Sequence, residues 1–197
     1  MERKPSCWES INVTILKSSG DQAPADDEMK KQIHISMKII LKAERIKKLK
    51  SMIVEDQESG VKNPTRLEVV AAFLIRYNLL ASSLKPIVLF IGMNLRPQIN
   101  PPLEGTWRTF EEIAKRGVEY YTVTTSCNMP YYDIDFKWGK PERVTVASLP
   151  SKNYFFLLDD SNGGGVEAIA SIDEQVLPIL EKNEEFLSFA SLDPLSS

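Results

Sequence analysis

The first regular pattern along the chain is an alternation. In QIHISMKIIL, residues 32–41, Ile33, Ile35, Met37, Ile39 and Leu41 share one side of an extended backbone, and His34, Ser36 and Lys38 share the other. That period of two predicts a strand with one buried face. The period then changes. In KAERIKKLKSMI, residues 42–53, Ile46, Leu49 and Ile53 line one face of a short helix and basic residues fill the rest. EDQESGVKNP is polar and reads as a loop. Residues 65–83 form the clearest helix. Thr65 and Glu68 have the spacing of a capping box, in which hydroxyl and carboxylate each satisfy a backbone N–H of the first turn. The apolar face behind that cap is wide, which predicts a largely buried helix.

PIVLFIGMNL, residues 86–95, is apolar on both faces, as an internal strand of a covered sheet would be. TFEEIAKRG reads as a short helix ended by Gly117. VEYYTVTTS, RVTVAS and NYFFLLD are β-branched or aromatic and read as strands. DDSNGGG is a tight turn, and VEAIASI leaves it as a strand, so 153–172 is expected to be a hairpin. The end, DEQVLPILEKNEEFLSF, reads as mostly helical, with Pro178 kinking the helix or delaying its start. About six strands and four helices in mixed order fit an α/β or α+β class, and the expectation is α/β, a mixed sheet with helices.

The 197 residues suffice for one ordinary domain with a sizeable core. Residues 1–31 are polar, with Gly, Pro and an acidic trio in KSSGDQAPADDEMKK, and are expected to be a disordered lead-in to a domain spanning 32–197. The net charge of -3 gives no reason to expect nucleic acid or an anionic membrane as partner. The N-terminal residues carry no apolar signal core, and no apolar run reaches the ~20 residues of a membrane helix, so a cytoplasmic protein is expected. The two cysteines, Cys7 and Cys127, form no CxxC pair and read as free thiols.

Candidate chemistry is sparse. The one histidine, His34, has no acidic residue within five positions to orient it, and reads as a half-exposed strand residue. The glycines at 163–165 join two strands and lack the Lys-Ser/Thr of a phosphate loop, so they read as turn glycines. Asp159 and Asp160 lack the further oxygens a hard cation needs and fit Asx-turn roles; no metal site is expected. The basic run Lys42, Arg45, Lys47, Lys48 and Lys50 reads as a solvated helix face that could meet an anion. The densest cluster is DIDFKWGKP, residues 133–141. Asp135, between Ile134 and Phe136, is expected to be partly buried and to pair with an arginine. Gly139 after Trp138 suggests a tight turn under a large ring. Such a cluster is a structural staple.

DFKWGKP resembles the DFGWG motif of the plant BAHD acyltransferases, which move acyl groups from coenzyme A thioesters to alcohols or amines. Other segments are similar to the family in the same order. They are NPTRLEVVAAFLIR, MNLRPQINPPL, TTSCNMPYYDIDFKWGKP and FFLLDDSNGGGVEAIASIDEQV. The vinorine synthase-like members look nearest. The resemblance implies a partial chloramphenicol acetyltransferase-like domain from the C-terminal portion of such an enzyme. It implies acyl-CoA as co-substrate, with no tightly bound cofactor, and a small-molecule acceptor.

The family's HxxxD motif, whose histidine is the general base, has no counterpart. HISMK is H-x-x-x-K, and the catalytic role is not carried onto His34. A long family segment is skipped between NPPLEG and TWRTFEEIAKRG. Lys137 replaces the motif's first glycine and would be strained at positive φ. Ser126 stands where the family usually has Trp. The resemblance agrees that Asp135, Phe136, Trp138 and Gly139 are structural, with Arg96 as the partner of Asp135. Thr65 and the basic helix are the candidate contacts to coenzyme A. The expected outcome is a truncated chain, inactive alone, or a non-catalytic module that pairs with a full-length relative. Open strand edges would favour self-association.

Overall fold

The computed structural model describes residues 34–56, 60–81, 87–92, 119–149 and 151–194. These build one mixed six-stranded sheet with helices against one face. Its strands are β1 (His34–Leu41), β2 (Ile87–Gly92), β3 (Glu119–Thr125), β4 (Tyr154–Asp159), β5 (Val166–Asp173) and β6 (Ser191–Pro194), in the order β2-β3-β4-β5-β1-β6. The pairs β2–β3 and β3–β4 are parallel, and the remaining three are antiparallel. The expected 153–172 hairpin is the β4–β5 pair, with Phe156 opposite Ile169.

The alternation in β1 works as the pattern predicted. Met37, Ile39 and Leu41 are buried on the helical face, beside Val166, Ala168, Ala170 and Ile172 of β5 and Phe155 and Leu157 of β4. Helix α1 (Ala43–Glu55) buries Ile46 and Leu49 there. Helix α2 (Arg66–Ala81) lies on the same core, burying Val69, Val70, Phe73, Leu74 and Tyr77. The capping box forms: Glu68 N–H donates to Thr65 Oγ1 at 3.2 Å, and Thr65 N–H donates to Glu68 Oε2 at 2.7 Å. Phe73 stacks on Phe186 at 5.3 Å, and Tyr77 meets the same ring edge-on at 5.2 Å. Burying these rings is a main source of the core's stability, about 1.5–3 kcal/mol for each large apolar side chain.

Four expectations change. RVTVAS forms no strand; 143–148 is irregular, and Val144 and Val146 pack on the second sheet face with Leu149, Leu158 and Ile169. β6 was not anticipated, because four residues containing a proline carry no periodic signal. The terminal helix divides into α3 (Leu177–Lys182), with Pro178 in its first turn, and α4 (Glu184–Phe189). Asn183 makes the break by capping α4, its side chain accepting from Phe186 N–H at 2.8 Å. Finally, β2 is an edge strand among the described residues, with Ile91 and Gly92 exposed, where an internal strand was expected. The expected helix at 109–117 lies outside the described residues, as does the 1–31 segment.

Candidate functional site

Three places concentrate polar chemistry. The first is a node where α2 begins and β4 ends. The Arg66 guanidinium pairs with Asp159 Oδ1 and donates to Gly165 O at 3.5 Å, and Asp159 Oδ2 accepts from Asn128 N–H. Asp160 Oδ1 accepts from Gly165 N–H at 3.2 Å, so it closes the glycine turn in the expected Asx role. A Cβ on Gly165 would meet Asp160 Oδ2 at 2.4 Å and Leu41 O at 2.9 Å, so only glycine fits there. Cys127 lies beside this node. Burial pushes its thiol pKa up, while a Thr125 hydrogen bond opposes the shift, so its thiol is not an activated nucleophile.

The second place is a cavity of about 540 Å³ between the end of α1 and the start of α2. Ile53, Val69 and Ala72 give it an apolar floor, and Asp56, Lys62, Asn63 and Glu68 give it a polar rim. Its size is that of a small-molecule site. Thr65 stands between rim residues Pro64 and Glu68. The hydrogen bond from Thr65 N–H is the main reason that the Glu68 pKa falls below its ordinary value, and the charge of Lys50 helps. Elsewhere on the basic helix, Lys48 sits 5.3 Å over the Phe189 ring, and Arg45 reaches Leu187 O at 3.4 Å.

The third place is the DFKWG loop. Asp135 is exposed, against the expectation of partial burial. Its Oδ1 accepts from the N–H groups of Lys137 at 2.7 Å and Gly139 at 3.2 Å. The carboxylate is therefore satisfied by the turn it braces. Arg96, its expected partner, lies outside the described residues. Lys137 takes φ 73°, the strained conformation foreseen for a side chain at that position, and Gly139 takes φ 116°. The Trp138 ring does not close over the turn, because it is almost wholly exposed. Phe136 and Trp138 instead stack on each other at 5.5 Å, 60% and 84% exposed.

The profile of the Transferase family matches residues 4–108 and 106–187. The chain belongs to this family, the BAHD acyltransferases. Diaboline synthase from Strychnos sp is 29% identical over 245 residues, which cover 92% of the chain and 52% of that protein. Acyltransferase Pun1 from Capsicum frutescens is 32% identical over 212 residues, covering 79% and 48%. The chain thus spans about half the length of the curated relatives it matches. Among solved structures, vinorine synthase superposes with a TM-score of 0.63 at 22% identity, covering 81% of this chain and 48% of that one. F. graminearum TRI101 in complex with coenzyme A and deoxynivalenol superposes with a TM-score of 0.64 at 14% identity, covering 91% and 54%. The mixed sheet with helices is the acyltransferase fold of these neighbours.

In this BAHD chain, the sequence-predicted residues do not converge. Thr65 is at the α2 cap beside the cavity, and Asp135, Phe136, Trp138 and Gly139 are on the loop after β3. His34 begins β1, and its side chain lies outside the described part. The fourth residue after it, Lys38, is buried and donates to Glu167 Oε2 at 2.6 Å. Two features escaped sequence reasoning. The Arg66–Asp159 node joins residues 93 positions apart, and no local pattern announces it. The cavity is a property of how two helices meet.

Proposed function

We propose that the chain supplies one wall of an acyl-CoA-dependent acyltransferase site, holding the nucleotide end of acyl-CoA, and does not itself perform the transfer. The observation that carries this reading is the cavity between α1 and α2. Lys62 on its rim, with Lys50 near Glu68 outside the lining, offers cations for phosphates beside the carboxylates of Asp56 and Glu68, and the apolar floor suits an adenine or pantetheine surface. Coenzyme A is bound in the TRI101 structure, a neighbour of the same fold. The chemistry in question moves an acyl group from a thioester to an alcohol or amine of a plant metabolite. A base removes the acceptor's proton, the freed oxygen or nitrogen attacks the thioester carbonyl, and the thiolate of coenzyme A leaves.

That base is missing from the described site. The chain's single histidine is followed by Ile, Ser, Met and Lys where the family motif needs an aspartate in the fourth place. Lys38 is engaged by Glu167 and cannot take the aspartate's orienting role. Without a general base the rate falls ~10²–10⁴-fold. An internal omission fits the same picture. The two family matches meet at 106–108, where the sequence skips from NPPLEG to TWRTF. The diaboline synthase alignment, at 245 residues, is longer than the chain's 197.

Calorimetric titration with coenzyme A tests the cavity. Saturable binding that Lys62→Glu and Lys50→Glu each weaken is the expected result; no binding, or binding indifferent to both variants, refutes it. Incubation with acetyl-CoA and an alcohol panel tests the rest. Product formation that disappears in His34→Ala would make His34 the base and end the non-catalytic reading.

A further inference from the structure

The glycine turn after β4 contributes nothing to the lining of the α1–α2 cavity, yet it touches the start of both helices that enclose it. Gly165 O accepts from the Arg66 guanidinium at 3.5 Å, and Arg66 is the first residue of α2. On the other side, a Cβ on Gly164 would lie 3.3 Å from the Cβ of Ala43, the first residue of α1. The turn itself is fixed. Asp160 Oδ1 accepts from Gly165 N–H, and Gly163 N–H donates to Asp160 O, both at 3.2 Å. Asp159 holds the same guanidinium and the Asn128 N–H. Arg66 also stands against a local rule, because the positive end of a helix dipole disfavours a cation in the first turn. A residue that breaks such a rule and is given its own anionic partner marks a place where position outweighs propensity. Arg66 does not line the cavity, but Pro64, Glu68, Val69 and Ala72 around it do.

We propose that Arg66 is a positioning residue for the α1–α2 cavity, an inference that rests on the reading of that cavity as the acyl-CoA site. It acts through α2. The guanidinium fixes the first turn of that helix to a glycine turn that also abuts α1, so one anchor sets the separation of the two walls. The helices need such an anchor because they enter the cavity from different points, α1 from the end of β1 and α2 from the loop at 60–65. Walls already held in place spare the ligand the cost of ordering them on binding. The planar fork of arginine reaches Asp159 and Gly165 O together, which the single ammonium of lysine does not. Gly164, at φ 89° with Ala43 close by, is the matching contact on the α1 side.

Coenzyme A is titrated into the parent, Arg66→Gln, Gly164→Ala and Lys152→Ala, at a temperature where circular dichroism shows each fully folded. Lys152→Ala is the control, because it breaks two ion pairs at the start of β4, the strand whose far end carries the node. Arg66→Gln and Gly164→Ala should each raise the dissociation constant roughly tenfold, and Lys152→Ala should leave it unchanged. Amide hydrogen exchange without ligand is the second readout. Arg66→Gln should speed exchange at 69–72 in α2 and leave 168–172 in β5 at the parent's rate. An affinity in Arg66→Gln equal to the parent's overturns the proposal. So does an equal loss in Lys152→Ala, which would mean general loosening. If the parent binds no coenzyme A, the acyl-CoA reading falls and exchange decides alone. Selective loss of protection at 69–72 then keeps Arg66 as the residue that positions the cavity wall, and unchanged protection overturns it.

Discussion

Lys137 holds φ at 73° on an exposed turn, and replacing it with glycine should stabilise the protein. The left-handed conformation costs a residue with a Cβ roughly 1–2 kcal/mol. Glycine escapes that cost but loses more freedom on folding, by about 0.5–1 kcal/mol. Nothing else is forfeited. The Lys137 side chain is exposed and makes no hydrogen bond or ion pair among the described residues, and the N–H that Asp135 accepts remains in glycine. The net expectation for Lys137→Gly is about 0.5–1 kcal/mol of added stability. Urea denaturation, followed by circular dichroism at a concentration too low for association, measures it. Lys137→Ala keeps the strain and should match the parent within a few tenths of a kcal/mol. Gly139→Ala supplies the converse. Its φ of 116° suits glycine, and a Cβ there meets nothing within 4 Å, so the expected loss of about 1–3 kcal/mol is backbone strain alone. If Lys137→Gly is no more stable than Lys137→Ala, the strain argument is wrong.

Three further outcomes follow from the buried polar groups and the helix cap. Lys38→Met should cost about 3–5 kcal/mol by stranding Glu167, and adding Glu167→Leu should recover most of it; additive losses in the double mutant would contradict this. Asp159→Ala should cost about 2–3 kcal/mol, since it strands the Arg66 guanidinium and the Asn128 N–H together, and Arg66→Ala in the same background should add little. The capping box should show in the pH dependence of stability. The folded-state pKa of Glu68 lies below its ordinary 4.5, so its contribution is present above that value and is lost as pH falls through the lower folded pKa. Glu68→Gln should flatten the stability curve in that acidic window, and an unchanged slope would mean the carboxylate is not what caps the helix.

What could be read from the residues depended on how far apart the interacting groups are. The β1 alternation, the α1 stripe, the Thr65–Glu68 box and the β4–β5 hairpin are local, and each sits where its pattern placed it. RVTVAS shows the limit. Its alternation is real, and Val144 and Val146 do face inward, but a strand also needs a neighbour to complete its hydrogen bonds, and none is available among the described residues. The same reasoning explains Asp135. Flanked by Ile134 and Phe136 it reads as buried, yet those neighbours are themselves exposed, so flanking polarity misjudges the site. A carboxylate two and four residues before the N–H groups from which it accepts braces its own turn through one oxygen. The family resemblance located the loop but not the direction its rings face. Phe136 and Trp138 lie side by side in solvent, on either side of a Lys137 held at φ 73°. A motif can therefore keep its aspartate, its rings and its final glycine while the exposure of those rings stays unreadable from the letters alone.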